Sequence, residues 1–336
     1  HSFVSADDVE APAEETPHDD VQRRRRLCDR ISRDAKEAAA AAHLAFQQAS
    51  GPGRWQDCSI PGAKCWVRTD RDVPRPQTQV VLELDTSTQV PALPVVQAVP
   101  PSSASGAMLA LMEFASWPQW MPLCRQSQTL QRWGPGESAV RLIFKLPVVH
   151  LHLWCDAYVC LVDRLDEEDC LEFLVCSSGS ALLRRSDAGN GSSGSTSSQP
   201  SQSAAGDRTF LGAALPKAIG SWLSIHAEVD YASLRMWPLD SSGLRHRARF
   251  VLVGEERCPM DSVVCTIWKM FAGSLIPLLA RRSEAPLPVN ESHMAFYEGL
   301  ARRFAIAAQR LNAAGPPREP STGCIAQAPA EAPQSL

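Results

Sequence analysis

The chain has 336 residues, a formal net charge of -4, 44% hydrophobic residues and 21% charged ones. That is enough length for one large domain or two and enough apolar content for a packed core, whereas the slight acidity supplies no basic field for nucleic acid. The longest apolar run, "VVCTIWKMFAGSLIPLLA", is marginal in length and interrupted by Lys269 and Pro277, which predicts a soluble protein without a membrane span.

Residues 1–19 are acidic and aperiodic, and 313–336 read the same way, the composition of disordered tails. The first residue is His rather than Met, so the N-terminus is expected to be that of a fragment or processed product, and no secretory signal pattern is visible. Eleven cysteines without a Cys-x-x-Cys pair are expected to be reduced, mostly buried thiols of a cytoplasmic protein. A helix is predicted from Asp20 as N-cap through "ISRDAKEAAAAAHLAFQQA" to the stop at Gly51 and Pro52. "GAKCWVRTD" and "TQVVLELDT" follow as strands, the second alternating Val80, Leu82 and Leu84 against Val81, Glu83 and Asp85. "GAMLALMEFASW" predicts a short apolar helix that stops at Pro118, because a helix interior tolerates neither Pro118 nor Pro122. Trp117, Trp120 and Met121 beside those prolines carry more apolar surface than an ordinary loop exposes.

"AVRLIFKL", "VVHLHLWCDAYVCLVD" and "CLEFLVC" then predict an antiparallel meander, and the Ser/Gly tract 184–208 an inserted loop. "SWLSIHAEVDYASLRMWPL" and "LRHRARFVLVGE" complete the sheet, with a turn at "DSSG" between them. Pro259 opens a long amphipathic helix to Arg281 with a stripe through Met260, Val264, Ile267, Phe271, Leu275 and Leu278 and with Trp268 beside it. A further C-terminal helix is predicted over 291–312, its apolar face through Phe296, Leu300, Phe304 and Leu311.

This order, with "WPQWMP" closing the short helix and with "GAKCWVRTD", "FKLPVV", "CDAYVCLVD", "RMWPL" and "GSLIPLLARR" in place, resembles the START (StAR-related lipid transfer) domain and its START-like group over residues 20–283. The resemblance implies an α+β helix-grip fold, in which a curved antiparallel sheet wraps the long C-terminal helix around an internal hydrophobic tunnel. It implies one domain, 20–312, that holds a single lipid or other hydrophobic molecule and transfers or senses it without turnover and without a cofactor. Trp117, Trp120 and Met121 would anchor the short helix over the sheet. In several sterol-binding members an arginine stands where this chain has Cys155 and pairs with a buried acid, so the resemblance here implies a more apolar tunnel.

The two apolar surfaces are the odd-numbered face of the central strand and the 259–281 stripe opposite it: Val149, Leu151, Leu153, Cys155, Ala157, Val159 and Leu161 facing Val264, Ile267, Trp268, Phe271, Leu275 and Leu278. Periodicity alone favours their packing on each other as a solid core, whereas the resemblance implies that they line the ligand-binding tunnel. His150 and His152 share the other face with Trp154, Asp156 and Tyr158. A zinc site there would need His226, Glu228 or Cys160, which no spacing selects, and the plain expectation is no metal and a polar outer sheet face. No nucleophile elbow, P-loop or dinucleotide fingerprint occurs. An enzyme with His150, His152 or His226 as acid or base, and a ligand-free interaction module docking a partner through the 291–312 helix, are the alternatives. Arg23 to Arg26, with Arg30, Arg33 and Lys36, crowd the first helix near its positive end. They read as contacts to an anionic membrane surface or as a solvated face neutralised by the acidic tail.

Overall fold

The computed structural model describes residues 17–48, 55–60, 63–71, 75–85, 111–121, 123–145, 152–180, 182, 209–211, 213–216, 224–238, 246–255, 269 and 291–313. Residues 1–16 and 314–336 of the two tails, the Ser/Gly tract, the "DSSG" turn and, apart from Lys269, the whole 259–281 helix lie outside these residues, while 17–19 and 313, expected in the tails, are helical.

Helix α1 runs Pro17–Gln48. It starts three residues before the expected N-cap, since proline at the first helical position forfeits no hydrogen bond, and Asp19 and Asp20 sit in the first turn, where the helix dipole favours them. Twelve strands follow among the described residues: β1 Gln56–Asp57, β2 Ala63–Asp70, β3 Gln77–Asp85, β4 Cys124–Gly134, β5 Glu137–Lys145, β6 His152–Arg164, β7 Cys170–Ser177, β8 Thr209–Phe210, β9 Ala213–Ala214, β10 Ser224–His226, β11 Val229–Pro238 and β12 His246–Glu255. The main sheet is open, in the order β1-β2-β3-β12-β11-β7-β6-β5-β4, and every neighbour on that path is antiparallel. β8 and β9 form a separate two-stranded ribbon.

One expected long strand is divided. "SIH" becomes β10, which pairs parallel with β6 in the register Ser224 to His152 and His226 to Trp154, and the chain then turns through Ala227 and Glu228 into β11. β7 reaches β6 only as far as Ala157, so the first part of β6 has an unfilled edge that β10 occupies.

The short helix also differs from expectation. Leu111 and Met112 are helical, Phe114–Ser116 form a 3-10 turn, and α2 spans Trp117–Trp120. Pro118 does not stop a helix but opens one, lying in the first turn of α2, where its missing N–H has no partner to lose. The chain turns out of α2 at Met121 in extended conformation and at Leu123 with φ 64.

Alternation along the strands gives the sheet two apolar faces, and a helix covers each. On one face α1 places Leu27, Cys28 and Ile31 against Tyr158, Leu174 and Cys176. Further along, Ala35, Ala39 and Ala42 lie against Trp66, Val81 and Val251, the small side chains letting the helix approach the sheet. On the other face helix α3, Met294–Ala313, packs Tyr297, Leu300, Ala301, Phe304 and Ala307 against Leu161, Leu171, Phe173, Met236 and Ala248. The 291–312 segment therefore covers the sheet with its apolar face. The even-numbered face of β6 is not a polar outer face either: Asp156 and Tyr158 are each 1% exposed.

Charged side chains buried under α1 explain how a polar-looking strand can be covered. Glu172 is 0% exposed and accepts hydrogen bonds from Ser32 of α1 (2.9 Å), Arg164 Nε (2.8 Å), Ser233 (2.8 Å) and Arg235 Nε (2.7 Å). Arg235 continues to Ser32 (2.8 Å) and to Glu168 (2.9 Å), and Glu168 takes Lys36 of α1 at 2.6 Å. The basic residues of α1 are accordingly divided: Arg24 is buried, with Nε 2.5 Å from Glu137 and its guanidinium 4.7 Å over the Trp133 ring, while Arg25 and Arg26 remain exposed.

Burial raises the Glu172 pKa, but Arg235 and then Arg164 and Ser233 outweigh it and hold the carboxyl below its usual range. A depressed carboxyl adds stability above the unfolded-state pKa, and that stability is lost as pH falls through the folded-state value. Glu172→Gln should thus destabilise the chain by about 3–5 kcal/mol at pH 7 in urea denaturation, because two guanidiniums lose their counter-charge in the interior. The penalty should shrink on acidification below the usual glutamate range. A pH-independent penalty, or one under about 1 kcal/mol, would show that the carboxylate charge is not what holds α1.

Candidate functional site

On the α3 face of β6, Cys155, Ala157, Val159 and Leu161 are buried at 6%, 0%, 0% and 8% exposure, and Leu153 is half-buried. Val149 and Leu151, and on the helical side Val264, Ile267, Trp268, Phe271, Leu275 and Leu278, lie outside the described residues. Lys269, the described residue of that stretch, is exposed, and its charge bears on Asp57 and Cys65. Burial pushes the Cys155 thiol above its ordinary range, with the neighbouring Asp156 adding to it.

The covered and uncovered parts of this face follow from register. Val159 lies beside Val175, and Phe173 beside Leu234, which lies beside Phe250; Ala232 lies beside Leu252. α3 covers the end of the face that carries Leu161, Leu171 and Met236. The row of Leu161 and Phe173 runs on through Leu234 and Phe250, and the next row holds Val175 and Leu252; these last four are half-buried, as is Phe144 beside Leu153. An apolar strip thus crosses β7, β11 and β12 next to α3.

Trp117 is buried, its ring 5.3 Å from Phe114 and its Nε1 donating to Leu111 O at 3.2 Å. Met121 packs on the same apolar cluster, half-buried; the Trp120 side chain is outside the description.

A polar group that the sequence did not suggest stands at one end of the apolar face. Glu113 is 7% exposed, His293 7% and Tyr297 0%. His293 Nδ1 is 3.0 Å from Glu113 Oε1, and the Tyr297 hydroxyl donates to the same oxygen. Arg132 Nη1 lies 2.6 Å from Nε2 of His293 and 2.8 Å from Nδ1. A guanidinium only donates, so the arrangement fits a neutral imidazole with Nδ1–H donating to Glu113 and the Nε2 lone pair facing Arg132. The backbone around Glu113 is fixed by the Ser116 hydroxyl donating to Glu113 O at 2.7 Å and Ser127 donating to Phe114 O. Glu113 is the one acid within "ALMEFASW"; that isolated charge in an apolar run was the available signal, but its partners lie 180 and 184 positions along the chain.

On the opposite face Arg141 and Asp156 form a two-pronged buried pair at 2.6 and 2.7 Å, with Arg141 also donating to Pro216 O at 3.0 Å. The acid beside Cys155 therefore has an arginine partner from the neighbouring strand, on the side away from α3. His152 is half-buried, and His226 lies with its ring 4.3 Å from Trp154. Of the zinc donors considered, His226 Nδ1 and Glu228 Oε1 lie 3.9 Å apart, but Cys160 is eight positions along β6 from His152, His150 lies outside the described residues, and among the described residues no three His, Cys, Asp or Glu side chains converge on a point. Cys58 departs from the expectation of reduced thiols, since it is disulfide-bonded, with a partner outside the described residues.

No family model matches the chain, and no curated protein matches it. Solved structures give faint likenesses. Human STARD10 is 8% identical, covering 72% of this chain and 78% of its own at a TM-score of 0.43. Human StAR-related lipid transfer protein 5 is 9% identical, covering 75% and 97% at 0.41. The Zhui aromatase/cyclase of Streptomyces sp. R1128 is 13% identical, covering 71% and 98% at 0.29.

The chain has three tyrosines, and burial first raises the pKa of each: Tyr158 with the thiols of Cys160 and Cys28 beside it, Tyr231 with Asp34, Tyr297 with Glu113. A raised phenol adds stability that is complete below the unfolded-state pKa near 10 and is lost as pH rises toward the folded-state value. Absorbance at 295 nm should stay flat through pH 10 in the folded protein and then rise for all three together as the chain unfolds in alkali. Reversible ionisation of one tyrosine near pH 10 with circular dichroism unchanged would place that hydroxyl in solvent.

Proposed function

We propose that this protein binds one hydrophobic molecule, a lipid by class, on the apolar strip beside α3, enclosed by the helical cover of that face, and carries or senses it without chemical turnover. The observation that carries the proposal is the distribution of burial on this face: half-buried Val175, Leu234, Phe250 and Leu252 continue the two rows that begin with buried Val159 and Leu161. Such a row gains about 25 cal/mol per Å² when an acyl chain or ring system excludes water from it. No helix among the described residues is long and apolar enough to cross a membrane, and a cytoplasmic carrier would meet bilayers from outside. Arg25 and Arg26 are exposed on α1 for transient contact with anionic headgroups, each contributing about 1 kcal/mol near such a surface; Arg24 is turned inward and takes no part.

A second function, proton-transfer chemistry on a bound hydrophobic substrate, is favoured by one observation: the Glu113–His293–Tyr297 group stands at the end of the same face, with an imidazole oriented by a carboxylate. Native mass spectrometry of the purified protein, followed by organic extraction, separates the two. Co-purified lipid recovered unchanged after prolonged incubation supports carriage, and conversion that stops in His293→Gln supports chemistry.

Leu234→Trp fills the strip from the sheet side. Binding of a pyrene-labelled fatty acid, followed by fluorescence titration, should weaken more than tenfold, equivalent to about 1.4 kcal/mol, while the urea midpoint of the ligand-free chain moves little. Unchanged affinity in a folded Leu234→Trp protein would remove the strip from the binding surface.

A further inference from the structure

Under α1 two thiols meet. Cys28 comes from the helix and Cys160 from β6, and Cys160 packs against the apolar cluster that holds Cys28, two positions along the strand from Tyr158. The Tyr158 hydroxyl lies 3.4 Å from the Cys28 sulfur and 2.8 Å from Glu137 Oε1, an oxygen that Arg24 Nε also reaches at 2.5 Å. Cys28 is 7% exposed and Cys160 is half-buried, so the pair has one sheltered sulfur and one nearer solvent. Both are free thiols. Cys176, the third thiol in this apolar cluster, is fully buried and its pKa is pushed up to about 12 by burial, which leaves it the inert member.

We propose that Cys28 and Cys160 are a peroxide-oxidised pair that closes a reversible disulfide between α1 and the sheet. The inference stands apart from the lipid-binding function, since the pair lies on the face opposite α3. In the first step the Cys28 sulfur attacks one oxygen of a hydroperoxide, the O–O bond breaks, and the Cys28 proton leaves with the departing oxygen as water or an alcohol, giving Cys28 sulfenic acid. In the second, the Cys160 sulfur attacks the sulfenic sulfur, and its proton leaves with the hydroxyl as water. Two thiols have then lost two protons and two electrons, and the peroxide has taken up both.

The surroundings favour Cys28 as the attacking sulfur. The hydrogen bond with Cys160, and after it that with Tyr158, stabilises its thiolate against the cost of burial. Tyr158 can turn its O–H from Glu137 to that thiolate because Glu137 keeps Arg24 as partner. Cys160 packs against the same cluster as Cys28, so the second step requires no opening of the helix. The product would add a covalent tie between positions 28 and 160, where the resting chain has only hydrogen bonds and apolar contact.

The test uses the full chain. Protein treated with a small excess of hydrogen peroxide is quenched with N-ethylmaleimide and digested with trypsin without reductant. The expected result is a linked pair of peptides, 27–30 with 146–164, that appears before any other free thiol is oxidised. Because 146–164 also contains Cys155, the link should persist in Cys155→Ser and in Cys176→Ser and vanish in Cys160→Ser. The urea midpoint of the oxidised wild type should rise and fall back with dithiothreitol. The same treatment should leave Cys160→Ser unmoved, a variant that retains the disulfide at Cys58. A link that survives in Cys160→Ser, or Cys28 recovered as maleimide adduct or sulfinic acid with no link in wild type, overturns the proposal.

Discussion

The buried carboxylate of Glu172 is the interaction on which the arrangement of the two faces depends. It sits in the middle of β7 with donors from α1, from β6 and from β11, so one side chain joins a helix to three adjacent strands. Apolar contact alone would let α1 slide along its stripe, since Ala35, Ala39 and Ala42 present nearly the same surface at each turn. A charge without solvent has no such latitude. Glu172 stays ionised only where Arg164 and Arg235 reach it together, and Arg235 in turn requires Ser32 and Glu168. The register of α1 on the sheet is therefore set by polar geometry, while the apolar contacts supply the bulk of the burial energy.

This division makes the two faces of the sheet unlike. On the α1 face the pairs Arg24 with Glu137, Arg141 with Asp156 and Arg235 with Glu172 satisfy one another within the protein, and lifting the helix would take Arg24 from Glu137, Ser32 from Glu172 and Arg235, and Lys36 from Glu168 at once. Across the sheet, α3 meets the strands through Tyr297, Leu300, Phe304 and alanines, with polar contact among Glu113, His293 and Arg132 at its beginning and half-exposed ion pairs from Arg303 and Arg310 to Asp163, Asp166 and Asp169 along its outer side. The cost of a small displacement is correspondingly lower on that side, because apolar contacts weaken gradually with separation whereas buried ion pairs do not.

Much of this architecture was legible in the chain. The period of two in "TQVVLELDT" and in 153–161 marked strands and sorted their faces correctly, because alternation is a local property. α1 was legible from propensity, to within three residues at its start. What could not be read were properties created by pairing. Asp156, Glu172 and Arg235 look like solvent-facing charges in sequence, and only the register of β6, β7 and β11 brings their partners to them. His293 and Glu113 meet across 180 positions. Pro118 misled for the opposite reason: its helix-breaking chemistry was read correctly but assigned to an interior position, when it stands in a first turn, where that chemistry costs nothing. β10 had no signal of its own, since its place is determined by where β7 ends.

The same asymmetry bears on how a hydrophobic guest could enter. A molecule lying along Val175, Leu234 and Leu252 needs a passage through one of the two helical covers or past their edges. Passage under α1 would part Arg24 from Glu137, Lys36 from Glu168 and Ser32 from Glu172 and Arg235 and would draw an apolar guest past charged side chains buried there, and parting a buried charge from its partner carries a penalty of several kcal/mol. Passage on the α3 side exposes apolar surface that the guest itself then covers, so the loss on opening is recovered on binding. On the proposed function, exchange would therefore take place on the apolar face, with the charged face as the frame against which it opens.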